Sequence, residues 1–263
     1  MAEIPSLPQR AFILPEQKRA AMAAAYQHGA KSYDRIRPPY PQAALDFTLE
    51  GPVKQVADIG CGSGIFTEQL ASRGVEVWAV DPSQDMLDVL NSRLPCAHTV
   101  LAPGEQTGLA ESSVDVVSYA QAWHWVDPEQ ASAEAARLLR AEGRLVLLWN
   151  QLDVSVSWVH RLTRIMHAGD VHRPELIPPF GPQFAAPESG IWHWSMALTL
   201  QEVIELTRSR SYYRRANEAT RNKVESNLRW YWCEHLGHDA AERVDVPYLT
   251  HAWRARKISR RRK

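Results

Sequence analysis

Nine consecutive residues, Val56-Ala57-Asp58-Ile59-Gly60-Cys61-Gly62-Ser63-Gly64, followed after one short helix by Val77-Trp78-Ala79-Val80-Asp81, constrain the fold more than any other stretch of the chain. An apolar strand that opens into a loop with glycine at every second position, and then into a helix, lets backbone approach a ligand where side chains would obstruct it. A second apolar strand ending in Asp81 puts a carboxylate where its oxygens can accept both hydroxyls of a ribose. Together they imply a nucleoside held at the carboxyl edge of a parallel sheet. The dinucleotide fingerprint is not met, because Ile65 stands where its third glycine belongs, and no Lys follows the loop as in a phosphate-binding loop. Asp58 also brings negative charge to the place a pyrophosphate would occupy, which suits a ligand bearing an amino group and a sulfonium.

The rest of the chain repeats the alternation. Strands are expected over 54–59, 75–80, 97–101, 114–119 and 144–150, separated by helices that begin at Ile65, after Ser83 and after Asp127-Pro128. Ala131, Ala135, Leu138 and Leu139 form the inward stripe of the third helix, with Gly143 as its stop. Short connections between alternating elements predict a parallel sheet with right-handed crossovers. After Gln151 the period changes. Trp158, Leu162, Ile165 and Met166 stripe one helix, Thr199 and Glu202 make a capping box for another, and Val224, Leu228, Tyr231 and Trp232 stripe a third that stops at Gly237. Trp192, Trp194, Met196 and Leu198 alternate as a strand, and a last strand spans about 246–254, where Pro247 argues for a position near an edge or a late start.

The expected fold is therefore α/β: a Rossmann-like, mostly parallel sheet of seven strands with an antiparallel last strand, helices on both faces and helical cap insertions. One domain covers 1–263, with a leading segment 1–45, a cofactor-binding core 53–150, cap insertions 151–190 and 210–240, and C-terminal sheet elements 191–209 and 241–256. At 263 residues, with 45% hydrophobic and 23% charged residues, the chain has the composition of a globular protein. Thirty basic residues balance thirty acidic ones, so no global field draws in nucleic acid or an acidic membrane. No leader or membrane-spanning run is read, which points to a cytoplasmic protein. Three scattered cysteines fit neither a disulfide framework nor a metal site. The basic residues from Arg254 to Lys263 read as a solvated tail.

The Asp58 to Asp81 run resembles motif I of the class I S-adenosylmethionine-dependent methyltransferases. Ala30-Lys31-Ser32-Tyr33-Asp34-Arg35-Ile36-Arg37-Pro38-Pro39-Tyr40-Pro41 is similar to the leading segment of the methyltransferases related to trans-aconitate methyltransferase, and Val246 to Thr250 resembles their terminal strand. The resemblance implies S-adenosylmethionine as cofactor, with Gly60 and Gly62 in the loop, Asp58 near the amine, Arg37 on the methionine carboxylate, Asp81 on the ribose and Met86 on the adenine. Ala120-Gln121-Ala122-Trp123-His124-Trp125 matches the family's motif beside the transferred methyl, which brings in Gln121. Pro103 replaces a polar residue that commonly binds the adenine amino group, so that contact falls to the backbone of Gly104 or Glu105.

Methyl transfer from a sulfonium needs alignment and exclusion of water, and a base only when the acceptor must lose a proton; no metal is implied. His124 is the first candidate for that base, against a packing role between Trp123 and Trp125. His28, Tyr33 and His160 follow. The acceptor is expected to be a small O-, N- or C-nucleophile: heteroaromatic, phenolic or a carboxylic acid. Two other readings stay open: a noncatalytic nucleoside-binding module and an NAD-dependent dehydrogenase. Oligomeric state is not legible.

Overall fold

A computed structural model describes residues 36–168 and 176–258. Its centre is a seven-stranded sheet in the order β3-β2-β1-β4-β5-β7-β6. The strands are β1 (Gln55–Ile59), β2 (Glu76–Asp81), β3 (His98–Leu101), β4 (Val114–Ala120), β5 (Leu139–Leu152), β6 (Glu188–Leu198) and β7 (Val244–Arg256). β1 to β5 pair in parallel, and β7 runs antiparallel to both β5 and β6. The strand order reverses between β1 and β4, the switch point where open α/β sheets bind ligands beyond the carboxyl ends of their strands.

Both faces are covered, which is why the central strands are apolar without interruption. On one face α1 (Gln42–Thr48) and α2 (Ile65–Ala71) bring Leu45, Phe66 and Leu70 against Val56, Val116 and Val146. On the other, α4 (Pro128–Leu138) packs Ala131, Ala135 and Leu138 on Val117, Leu145 and Trp149. Trp149 and Trp253, adjacent on β5 and β7, meet edge to face at 5.4 Å and 85°. Truncating either ring to Ala opens a cavity of the kind that costs about 3–5 kcal/mol.

Helix α3 (Gln84–Arg93) follows β2. A second apolar cluster forms where α5 (Ser157–Ile165), α6 (Leu200–Arg208) and α8 (Glu218–Arg229) contribute Leu162, Ile204 and Leu228 around Tyr248 and Ile36. A short α7 (Ser211–Arg215) links α6 to α8, and a π-helical turn, Trp230–His235, extends α8 to Gly237, whose φ is +77°.

Two expectations at element boundaries are corrected. The third helix ends at Leu138, not Gly143. Leu139 is already extended at ψ 137° and pairs with Val114, and Gly143 lies within β5, where a Cβ would come within 3.0 Å of the Asp115 carbonyl. β7 is neither an edge strand nor late to start: it lies between β5 and β6 and begins at Val244, ahead of the proline. Pro247 is tolerated because it stands at the end of the β5–β7 ladder: its carbonyl accepts the Asp153 N–H at 2.9 Å, and the return bond that proline cannot donate would lie beyond the last paired residues, Leu152 and Tyr248. The helix start at Ser83 is as expected, but the Ser83 side chain makes no cap bond; Asp81 Oδ1 accepts the Ser83 N–H instead, at 2.9 Å. The capping box of Thr199 and Glu202 is present on α6.

Candidate active site

The loop between β1 and α2 is built around three left-handed glycines: Gly60, Gly62 and Gly64 have φ of +67°, +55° and +93°. Only glycine takes such angles without cost. Their surroundings separate their roles. A Cβ on Gly60 would lie 2.5 Å from the Ala122 methyl, and one on Gly64 would lie 2.2 Å from Leu90, so both admit close packing. A Cβ on Gly62 would meet nothing within 4 Å, so this residue faces open space at the carboxyl edge.

Asp81 organises that edge. Its Oδ2 accepts the Gly62 N–H and its Oδ1 the Ser83 N–H, each at 2.9 Å. Burial raises its pKa, and these two bonds oppose the rise. Each carboxylate oxygen has a second lone pair for a diol. The residue thus ties the glycine loop to the start of α3, where Met86 is buried.

Asp58 sits differently from the expectation of a carboxylate presented to the ligand. It is 0% exposed, with Oδ2 accepting from Thr67 Oγ1 at 2.7 Å and Oδ1 from Ser118 Oγ at 2.8 Å. Burial pushes its pKa up to about 6 against those two bonds. Its charge therefore reaches the crevice as a field from between α2 and β4 rather than through an exposed oxygen.

The other candidates cluster around the same edge. Gly104 is buried against Ile59 and Tyr119, whose hydroxyl donates to the Gly104 carbonyl at 3.1 Å. Glu105 accepts the Asp127 N–H at 2.9 Å and so fastens this turn to the start of α4. Gln121 has a left-handed φ of +60°; its N–H donates to the Leu148 carbonyl at 2.9 Å and its side chain to the Asn150 carbonyl. His124 lies in a 3-10 turn, Trp123–Trp125, with its ring tilted on Trp125 at 4.6 Å. His160 lies on α5, whereas His28 and Tyr33 fall outside the described residues.

Sequence reasoning missed Asn150, which joins four segments. Its Nδ2 donates to the Pro39 carbonyl at 2.9 Å, its Oδ1 accepts from Thr250, its carbonyl accepts from Gln121, and Thr250 in turn accepts from Trp194 Nε1 at 2.8 Å. Pro39, and through the chain Arg37 two residues ahead of it, is thereby tied to the end of β5. A polar residue closing the apolar run Leu145 to Trp149 was the one signal available.

This sheet order, with its open glycine turn and a diol-ready aspartate on the next strand, defines the class I S-adenosylmethionine-dependent methyltransferases. Residues 57–147 match the family model described as a methyltransferase domain. An uncharacterized methyltransferase of Mycobacterium tuberculosis (strain H37Rv) is 37% identical over 90% of this chain and 97% of its own length. An uncharacterized methyltransferase-like protein of Schizosaccharomyces pombe is 30% identical over 74% of this chain and 81% of its own. Among solved structures, a putative type II methyltransferase from Anaeromyxobacter dehalogenans superposes with a TM-score of 0.55 at 24% identity, covering 84% of this chain and 97% of that one. The chain belongs to the S-adenosylmethionine-dependent methyltransferase family, and S-adenosylmethionine is its cofactor. The residues fit that group: open space at Gly62, free lone pairs on Asp81 and no lysine in the loop for a pyrophosphate. Among the described residues no cluster suited to a metal ion is present, and no helix is long and apolar enough to cross a membrane.

Proposed function

We propose that the chain methylates a small-molecule acceptor by in-line displacement at the carboxyl edge of β1, β2, β4 and β5, with the whole chain acting as one catalytic unit and the segments after β5 and after α6 forming its cap. The observation that carries this reading is the Asp81 carboxylate, which holds the Gly62 and Ser83 N–H groups and keeps a lone pair on each oxygen for the ribose hydroxyls. Gly60 and Gly62 allow the backbone to approach the nucleoside, Met86 lies under the adenine, and the turn at Gly104 and Glu105 borders its amino side. Arg37 pairs with the methionine carboxylate, the field of Asp58 favours the ammonium, and Gln121 holds the turn beside the methyl. When bound, the cofactor supplies a sulfonium methyl: the acceptor's lone pair forms the new bond to carbon as the sulfur–carbon bond breaks. His124 takes the acceptor's proton where there is one to lose. Malonyl-[acyl-carrier protein] O-methyltransferase of Serratia marcescens, 29% identical over 60% of this chain, supports a carboxylic acid among the acceptor classes.

Incubation with trideuteromethyl-labelled cofactor and a small-molecule extract, followed by mass spectrometry, tests the reading. A protein-dependent ion heavier than its parent by the labelled methyl group is the expected result. S-Adenosylhomocysteine binding without any labelled product would favour a noncatalytic nucleoside-binding role.

A further inference from the structure

The two edges of the sheet are unlike. β3, at one end, is four residues long, whereas β6, at the other, runs for 11. Natural sheets blunt an exposed edge with a short strand, a lysine, a proline or a bulge. β3 has the first of these. β6 has none of them: Glu188–Leu198 contains no lysine or proline, and its register with β7 runs from Glu188 opposite Arg254 to Leu198 opposite Val244 without a break.

The ladder fixes which backbone groups of β6 are left over. Pro247 accepts the Asp153 N–H and Gly143 accepts the Lys257 N–H, so the odd residues of β7 bond to β5 and its even residues to β6. Even residues of β7 stand opposite even residues of β6, as Thr250 does opposite Trp192. The odd residues of β6 therefore turn N–H and C=O away from the sheet. Arg243 takes one of these carbonyls, that of Ala197. The outward N–H and C=O groups of Ser189, Ile191, His193 and Ser195 have no hydrogen-bond partner among the described residues. These residues are all exposed, Ile191 at 43%.

This run is its own complement. Antiparallel pairing about a two-fold axis at Trp192 sets Ser189 opposite the second copy's Ser195 and Ile191 opposite its His193, each in the kind of pair that exchanges both backbone bonds. From Ser189 to Leu198 the strand carries no Asp, Glu, Lys or Arg, so no like charges meet across the axis. The His193 ring is already held, its Nδ1 on Asp153 Oδ2 at 2.7 Å, and in this pairing it lies over the exposed Ile191 of the other copy.

We propose that β6 is a self-association edge, at which two copies of this chain join antiparallel into one continuous sheet. The crevice between β1 and β4 takes no part in it.

Sedimentation velocity of the full chain over a range of concentrations, together with residue-resolved amide exchange, tests the edge. A two-chain species is expected, with slow exchange at Ser189, Ile191, His193 and Ser195. Ile191→Lys places a charge at an exposed position, and Ser195→Pro removes an outward donor that β7 does not use. Each should raise the dimer dissociation constant tenfold or more while keeping the far-ultraviolet circular dichroism of the parent. A parent protein that sediments as a single chain at every concentration overturns the proposal, and so does a dimer that survives both substitutions. Rapid exchange of those amides in a dimer overturns it without recourse to any variant. Species that keep growing beyond two chains also overturn it, because two-fold pairing uses up the edge.

Discussion

Asp81 and Asp58 show how two carboxylates 23 positions apart acquire different work from their surroundings. Asp81 accepts two backbone N–H groups and keeps 8% of its surface exposed; Asp58 accepts two hydroxyls and has none exposed. Replacing Asp81 by Ala removes the charged acceptor of the loop and, on the proposed reading, of the ribose. S-Adenosylhomocysteine affinity should fall by about 1–3 kcal/mol in titration calorimetry. Unchanged affinity would place the ribose elsewhere. Asp81 and the glycines were legible in the sequence because loop and strand end are near neighbours along the chain and each glycine's demand is local. Asn150 was not, because its meaning depends on distant partners: it meets Pro39 across 111 positions and Thr250 across 100. The burial of Asp58 was equally hidden, since Ser118 reaches it across 60 positions.

Among the elements, β7 departs furthest from what its sequence suggests. Pro247 reads as an edge signal, but β7 is flanked by β5 and β6, and the proline simply terminates one ladder. The misplaced end of α4 has a related cause: helical periodicity cannot register that Leu139, though apolar, has already paired with Val114. β7 also carries His251, 2% exposed, packed on Trp253 and with both ring nitrogens lacking hydrogen-bond partners among the described residues. Burial lowers its pKa to about 4. The unfolded chain protonates this histidine near its ordinary value of about 6.5 while the folded protein does not, so its contribution is intact above that pH and is lost as pH falls towards 4. His251→Phe should therefore reduce the stability lost between pH 7 and pH 4.5 by about 2 kcal/mol in chemical denaturation. An identical loss in both proteins would show that the ring is protonated in the fold.

At the scale of the molecule, the mostly parallel seven-stranded sheet and both helical layers were legible, because each strand–helix unit announces itself and the parallel topology follows from their alternation. How the helices beyond residue 150 pack together was not, since the stripes of α5, α6 and α8 specify a buried face but not the surface it meets. A cofactor held across β1 and β2 binds only the folded chain and so stabilises it as a whole. S-Adenosylhomocysteine at a hundred times its dissociation constant should raise the melting temperature by roughly 5 °C or more, and NADH at the same concentration should leave it unchanged. The reverse pattern would return the chain to the dehydrogenases.

The antiparallel course of β7 has a practical consequence. It starts level with the end of β5, beside the crevice, and runs to Arg256 at the opposite rim, level with Arg144 where β5 begins to pair with it. The leading segment does the reverse, fastened by Asn150 next to the crevice. A dye carried at Ile258 thus sits at the floor of the sheet, whereas one carried at Pro39 sits on the side of the glycine loop.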